Sequence, residues 1–422
     1  MNPKPVALLF GTVWPESEAS AAGVRQLQWV RFFKRAGFRV ILSSPSKQNE
    51  HIKLDVECLP LPLNRTSIRQ TLTELSPVIV MFDRFILEEQ FGHMIYEFCP
   101  EALVLLETED LHLLRRARES LREKYLEMES VPETLYHSDT ALREIASILR
   151  VDYSYVVSSF EEDFLANVFG VGMDKVQWVP FFYSDVIHEP AFGNSFHNRS
   201  DFCFIGNFRH APNMDGLRWF LREIWPRVRE GLPEATLHLF GSYPTEEVMN
   251  WNNPKAHIVS HGHAKNLDEV FLKSRVNLAP LRFGAGIKGK ILEGLRYGVP
   301  CVTTKVGVEG LLPQAGASYE FPGLEANTSE AFARACIELY QDEAVWSQKR
   351  LDALRLLQDI YAEDEILPKL NEQVFHLLES KKKGQLPGFN SRILRHELMN
   401  SHKYFAKWIE QKELYALKSS GL

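Results

Sequence analysis

Between Leu278 and Thr304 the chain reads LAPLRFGAGIKGKILEGLRYGVPCVTT, and most of its legible chemistry lies here. An apolar strand end runs into a small-residue turn, Gly284-Ala285-Gly286-Ile287. Lys288 and Lys290 follow, then a helical stretch that carries Glu293. Small residues let backbone N–H groups approach an anion, and a helix N-terminus carries about half a positive charge. Two ammonium groups add full charges, and a carboxylate can accept hydrogen bonds from vicinal hydroxyls. Together these groups suit a pyrophosphate joined to a ribose. The plainer alternative is a surface turn leading into an amphipathic helix with solvated lysines.

A second set of polar residues follows strand-like runs in the first half. In LLETEDLHLLRRAR (Leu105–Arg118), Asp110 and His112 leave a strand end. A histidine there can position a hydroxyl or act as a base, since its ordinary pKa lies near neutrality. The structural alternative makes Asp110 the N-cap of a helix, with Arg115, Arg116 and Arg118 solvated on its turns. Asp83-Arg84 follows another apolar run and is a similar candidate for the acceptor side. The loop GTVWPESEASAAG (Gly11–Gly23) ends in small residues that can close over a sugar phosphate, with Arg25 just beyond as a further anion contact. It lacks the G-x-G-x-x-G spacing of a nicotinamide site. His261 and His263 stand two apart with no third ligand in view, which argues against a metal site.

These residues need a scaffold of strands with loops at their ends. Val6–Phe10, a helical stretch Arg25–Arg35 and Arg39–Ser43 form a βαβ opening, which implies a parallel sheet. Val78–Phe82, Leu103–Leu106, Tyr153–Val157 and Val176–Pro180 read as further strands, and Leu111–Arg150 as a long charged helical region. A second series, Phe202–Ile205, Thr236–Phe240, His257–Ser260, Val276–Ala279 and Cys301–Thr304, follows a polar linker. The expected division is 1–185 for a first Rossmann-like domain, 186–200 for the linker, 201–378 for a second Rossmann-like domain and 379–422 for a helical extension. Two doubly wound α/β units of this kind bind ligands in the crevice at the strand C-termini.

Composition narrows the class. The 422 residues are 45% hydrophobic and 24% charged, enough for two or three domains with full cores. A formal net charge of −7 argues against a nucleic-acid binder. Five cysteines without metal or CxxC spacing point to reduced thiols and a cytoplasmic protein. No run is long enough to span a membrane, and the N-terminus does not read as a signal peptide. The basic runs at Arg115–Arg118 and Lys381–Lys383 suit either solvent or a peripheral contact with anionic lipid.

The second half resembles the nucleotide-sugar domain of GT-B glycosyltransferases, in particular the retaining enzymes of family 4 (glycosyl transferases group 1). The resemblance rests on FIGNFRHAPNMDGLRWF (Phe204–Phe220), HLFGSYP (His238–Pro244), the Leu278–Thr304 block and VGVEGL (Val306–Leu311), in the family's order and spacing. VVSSFEEDFL (Val156–Leu165) and VQWVPFF (Val176–Phe182) are similar to the end of the family's first domain, so the likeness covers about residues 5–375. It implies a nucleotide-sugar donor and a glycan, lipid-linked glycan or protein acceptor. It also implies retention, no bound metal and no other cofactor. By resemblance, Gly206, Asn207 and Arg209 approach the diphosphate, while Gly241 and Gly262 lie in loops that hold the base. Gly284, Ala285, Gly286, Ile287, Lys288 and Lys290 bind the diphosphate, and Glu293 binds the ribose. Gly23, Asp83, Asp110 and His112 line the acceptor side, and His112, Arg209 and Lys290 are the catalytic candidates. Family members commonly carry Glu-x7-Glu here. Glu293 matches the second position, but Ala285 occupies the first, where a carboxylate touches the sugar, so backbone N–H groups of Gly284–Ile287 are the expected substitute. An epimerase or phosphorylase of the same shape, and a non-catalytic nucleotide-sugar scaffold, stay open.

Overall fold

The computed structural model describes residues 3–399 apart from 17–20, 48–53, 61–64, 123, 129, 188–194, 265 and 314–318. Part of the interdomain linker (188–194), part of the Gly11–Gly23 loop and the end of the expected tail therefore lie outside the described residues.

Apolar runs bounded by polar loops form two parallel sheets. The first contains β1 (Val6–Phe10), β2 (Arg39–Ser44), β3 (Glu57–Pro60), β4 (Ile79–Asp83), β5 (Leu103–Glu107), β6 (Tyr153–Val156) and β7 (Val176–Trp178). Their order is β3-β2-β1-β4-β5-β6-β7, and the pairings are parallel. Every residue of β1 and β5 is buried, as expected where helices cover both faces. The second sheet contains β8 (Ser200–Asn207), β9 (Leu237–Ser242), β10 (Ile258–Gly262), β11 (Ser274–Ala279), β12 (Cys301–Thr303) and β13 (Gly323–Glu325). Its order is β10-β9-β8-β11-β12-β13, again parallel. Strand order reverses beside β1 and β4 in one sheet and beside β8 and β11 in the other. Crevices open at such points, and the Asp83, Gly206 and Gly284 loops leave these strands.

The helical region Leu111–Arg150 is broken. Helices span His112–Leu121, Lys124–Glu127 and Asp139–Arg150, with the first ending at Arg122, whose φ is 49°. The end of the chain also departs from expectation. The helix Glu363–Lys382 packs Leu370, Val374 and Leu377 into the first domain's core beside Phe32, Phe33 and Phe38. The boundary expected at residue 378 falls inside this helix, and packing puts the change of domain near Tyr361. There the two crossings lie side by side: Tyr183 N–H donates to Tyr361 O at 3.0 Å, and Glu363 N–H to Tyr183 O at 3.0 Å. Residues 389–399 then form a helix that is clasped to the first domain. Buried Asp152 accepts from Lys381 Nζ at 3.2 Å and from Arg395 Nη2 at 2.9 Å.

Candidate active site

Lys290 stands in the first turn of the helix Gly289–Arg296, at the C-terminal edge of the second sheet. Its Nζ donates to Asn213 Oδ1 at 2.6 Å and lies 4.3 Å from the ring centroid of Phe204. A Cβ on Gly206 would come within 3.2 Å of that ammonium and 2.9 Å of Asn213 Nδ2, so only glycine leaves the space at the end of β8 open. No carboxylate pairs with Lys290 among the described residues. Burial pushes its ammonium down to about 7. Lys288, which donates to Gly286 O at 2.5 Å, is pushed down by burial to about 8.

These two values set a pH dependence. A diphosphate needs protonated lysines, and half of Lys290 has lost its proton by about pH 7. Diphosphate affinity is therefore expected to fall as pH rises from 6 to 9, approaching about tenfold per unit above the lysine pKa. Binding near pH 8 takes up a proton, so calorimetric heats should differ between buffers of different ionisation enthalpy. A flat affinity across this range would mean that the Lys290 pKa is not depressed or that its ammonium does not meet the diphosphate, and loss of diphosphate affinity in Lys290→Ala separates the two.

The other donor-side residues gather nearby. Asn207 Oδ1 accepts from Arg209 N–H at 2.8 Å, and the exposed Arg209 guanidinium lies 4.1 Å over the ring of Tyr243. Tyr243 in turn donates to Glu16 of the first domain at 2.8 Å. Gly241 pairs with Gly206 in the β8–β9 register, and Gly262 ends β10 with φ 71°. Ile287 is buried and Ala285 packs against the core. Glu293 faces Arg296, whose Nη1 contacts its two oxygens at 3.0 and 3.1 Å, while Arg296 Nη2 donates to Asp185 O at 2.6 Å. The carboxylate is thus braced against the domain crossing.

The Gly284–Ile287 turn differs from expectation. Gly286 has φ 63°, and a Cβ there would lie 2.8 Å from Asp110 Cβ, so a glycine is required against the first domain. Its N–H donates to Glu161 Oε1 at 2.8 Å, so this group is already engaged by protein and is no free substitute for the absent carboxylate at Ala285.

On the facing side, Asp83 Oδ2 accepts from Thr12 N–H and Oγ1 and from Arg84 Nη1, at 3.3, 3.2 and 3.3 Å. Arg84 and Glu109, at the ends of β4 and β5, hold φ of 71° and 63°, strain of the sort that clusters at functional clefts. Gly23 is buried in the helix Ala21–Arg35 against the Glu16 backbone. Asp110 does not cap the helix. It binds Arg115 and lies 3.4 Å from His112 Nε2. Burial alone would raise Asp110, yet Arg115, His112 and Arg84 hold it below the usual carboxylate range. The helix start is held from elsewhere: Glu144 accepts from His112 and Leu113 N–H at 3.0 and 2.8 Å, and Glu161 from Leu111 N–H at 2.9 Å. His112 is 7% exposed and packs edge-on against Phe85, and burial pushes its imidazole down to about 4. It is neutral at pH 7, and so weak a base suits hydrogen bonding better than proton abstraction. Arg25 is not open to a ligand anion, because it is fully buried in an ion pair with Glu107. Arg118 is likewise buried rather than solvated.

Glycine turns, a lysine with no carboxylate partner among the described residues and a helix N-terminus therefore lie at the C-terminal edge of the second sheet, with Gly286 against the Glu109–Asp110 loop of the first domain. Residues 199–342 match the family model described as Glycosyl transferases group 1. The match lies in the second domain and covers about a third of the chain. A curated relative, an uncharacterized 44.6 kDa protein in the cps region of Klebsiella pneumoniae, is 22% identical over 191 residues. That stretch is 44% of this chain and 48% of the other, so the chain spans about half the length of the curated relative it matches. Sucrose-phosphate synthase from Thermosynechococcus elongatus overlays with a TM-score of 0.68 at 14% identity, covering 89% of this chain and 100% of that one. A glycosyltransferase from Rickettsia africae gives 0.62 at 12% identity, over 89% and 99% of the two chains. HepE of Anabaena, solved in complex with UDP and glucose, gives 0.57 at 12% identity, over 89% and 100%. The overlays thus show a GT-B fold that extends over both halves of the chain. Among the described residues, no helix is long and apolar enough to cross a membrane, and no group of three acidic, histidine or cysteine side chains could hold a metal ion.

Proposed function

We propose that this protein transfers a sugar from a nucleotide-sugar donor to an acceptor hydroxyl, with retention at the anomeric carbon and without a bound metal. The observation that carries the reading is Lys290, a cleft ammonium with an amide and an aromatic ring for neighbours and no described carboxylate. A cation left uncompensated beside an open glycine edge calls for an anion. The departing diphosphate gains negative charge at the transition state, and groups already aimed at that charge are the largest expected catalytic contribution. Lys290, the N-terminus of its helix and Arg209 are those groups. Glu293, braced by Arg296, receives the ribose hydroxyls. Neutral His112 offers a hydrogen bond to a sugar or acceptor hydroxyl beside the Asp110 carboxylate. Retention rests on the likeness to family 4.

HepE was solved with UDP and glucose, which makes UDP-sugars the first donors to try, followed by GDP-, ADP- and dTDP-sugars. Ligand-dependent thermal shift selects the nucleotide, and product analysis with candidate glycan and lipid-linked acceptors tests transfer. Tight nucleotide binding with neither transfer nor donor hydrolysis across the panel would overturn the enzyme reading. Steady epimer formation without acceptor would replace it by an epimerase. For the ribose contact, Glu293→Gln is expected to weaken ribonucleotides about tenfold and deoxyribonucleotides much less, since a hydrogen bond to a charged group contributes roughly 1.5–3 kcal/mol. Equal losses in a direct titration would remove Glu293 from the ribose.

A further inference from the structure

The donor turn of the second domain is gripped from the first. Arg118, on the helix His112–Leu121, is 1% exposed. Its Nη1 donates to Gly284 O at 2.8 Å and to Glu309 Oε1 at 2.6 Å, and its Nη2 to Glu309 Oε2 at 2.7 Å. Tyr125 and Phe160 flank the guanidinium, with ring centroids at 4.8 and 5.2 Å. Two residues along the turn, Gly286 N–H donates to Glu161 Oε1, and that same oxygen accepts from Leu111 N–H just before the His112 helix. One first-domain carboxylate therefore ties the start of the acceptor-side helix to the donor turn. A carbonyl and an N–H of Gly284–Gly286 are both bonded to the first domain.

A fork that meets a carboxylate in two places is directional, and it fixes the turn as well as the separation of the domains. Ala285 sits between the two anchored residues, where the second domain lacks the carboxylate common in similar proteins. We propose that Arg118 and Glu161 are positioning residues: the first domain sets the shape of the Gly284–Gly286 turn, and that shape sets how tightly the diphosphate is held. This rests on the reading of that turn and Lys290 as the diphosphate site. The start of the acceptor-side helix and the donor turn are then positioned by one carboxylate.

The test is equilibrium binding of UDP, GDP, ADP and dTDP, each beside its nucleoside, to the full-length chain. Arg118→Ala is expected to weaken the preferred diphosphate about tenfold, the usual size of a coupling between sites, and to leave the nucleoside unchanged. Glu309→Gln should shift binding the same way, and the double variant should be no worse than Arg118→Ala, because the two share one contact. If Arg118→Ala does not fold, Glu309→Gln decides, since its carboxylate lies at the edge of the cleft. Wild-type diphosphate affinity in both single variants, or equal loss for nucleoside and diphosphate, would overturn the proposal. If Lys290→Ala weakens the diphosphate while both variants bind normally, only the grip falls. If Lys290→Ala also binds normally, the diphosphate site itself falls.

Discussion

Replacing Lys290 by alanine is expected to weaken nucleoside diphosphates by roughly 10- to 100-fold and to leave nucleosides almost untouched. The size follows from a charged hydrogen bond of roughly 1.5–3 kcal/mol, with about 1.4 kcal/mol per factor of ten. Turnover should fall further than ground-state affinity, by about 100- to 1000-fold, because the diphosphate carries more negative charge as the glycosidic bond breaks and the ammonium then binds it more tightly. The local fold should survive. Lys290 packs over Phe204 and, among the described residues, its ammonium bonds Asn213, whose Nδ2 separately donates to Asn207 O at 2.8 Å and keeps that side chain in place. Initial rates and nucleotide titrations on the same preparation check both parts. Equal loss for nucleoside and diphosphate would mean that the variant damages the whole cleft.

The Gly284–Lys290 turn proposed for the diphosphate was legible because its information is local. Gly284, Gly286, Lys288 and Lys290 lie within seven residues, and their types alone suggest an anion at a helix start. The groups that hold this turn are distant in sequence and could not be seen there. Glu161 lies 125 residues before Gly286, and Arg118 lies 191 before Glu309. Nothing in a run of arginines distinguishes the buried Arg118 from Arg115 beside Asp110 until the two domains meet. Asn213, the partner of Lys290, looked like an ordinary residue early in a helix. The same limit explains the strands. Those with apolar runs were readable, whereas β3, an edge strand reading ECLP, and β13, three residues long, have too little pattern. The alternative of Asp110 as a cap fails because Glu144, 32 residues after His112, supplies that function from a neighbouring helix.

Glu107→Ala is expected to lower the stability of the first domain by about 3–5 kcal/mol, more than Arg25→Ala, with a drop in melting temperature of roughly 10 °C. The two side chains are almost wholly buried. Glu107 Oε2 accepts from Arg25 Nε and Nη2 at 3.1 and 3.0 Å and from Trp29 Nε1 at 2.6 Å. Arg25 also donates to Pro180 O and Val179 O, both at 2.8 Å, and so ties the end of β5 to the segment that leads out of the domain. The asymmetry comes from chemistry. A guanidinium cannot shed its charge, whereas a carboxyl stranded in the same place can take up a proton. Burial already pushes Glu107 above the usual range, although Arg25 and Trp29 pull it down. Without Arg25 the carboxyl should rise further. The folded state of Arg25→Ala then binds more protons than the unfolded state. Its stability should be highest below the unfolded carboxylate value near about 4.3 and decline as pH rises toward the raised folded value. Chemical denaturation of both variants at pH 4.5 and 7.5 separates these effects. A similar loss for both at the two pH values would mean that lost packing, not the stranded charge, governs the site. A double replacement by apolar residues of similar volume should recover much of the stability, since a well-packed apolar pair often matches or exceeds a buried ion pair. The recovered protein would show whether the link from β5 to the domain crossing is needed for transfer itself or only for the fold that presents Asp110 and His112 to the cleft.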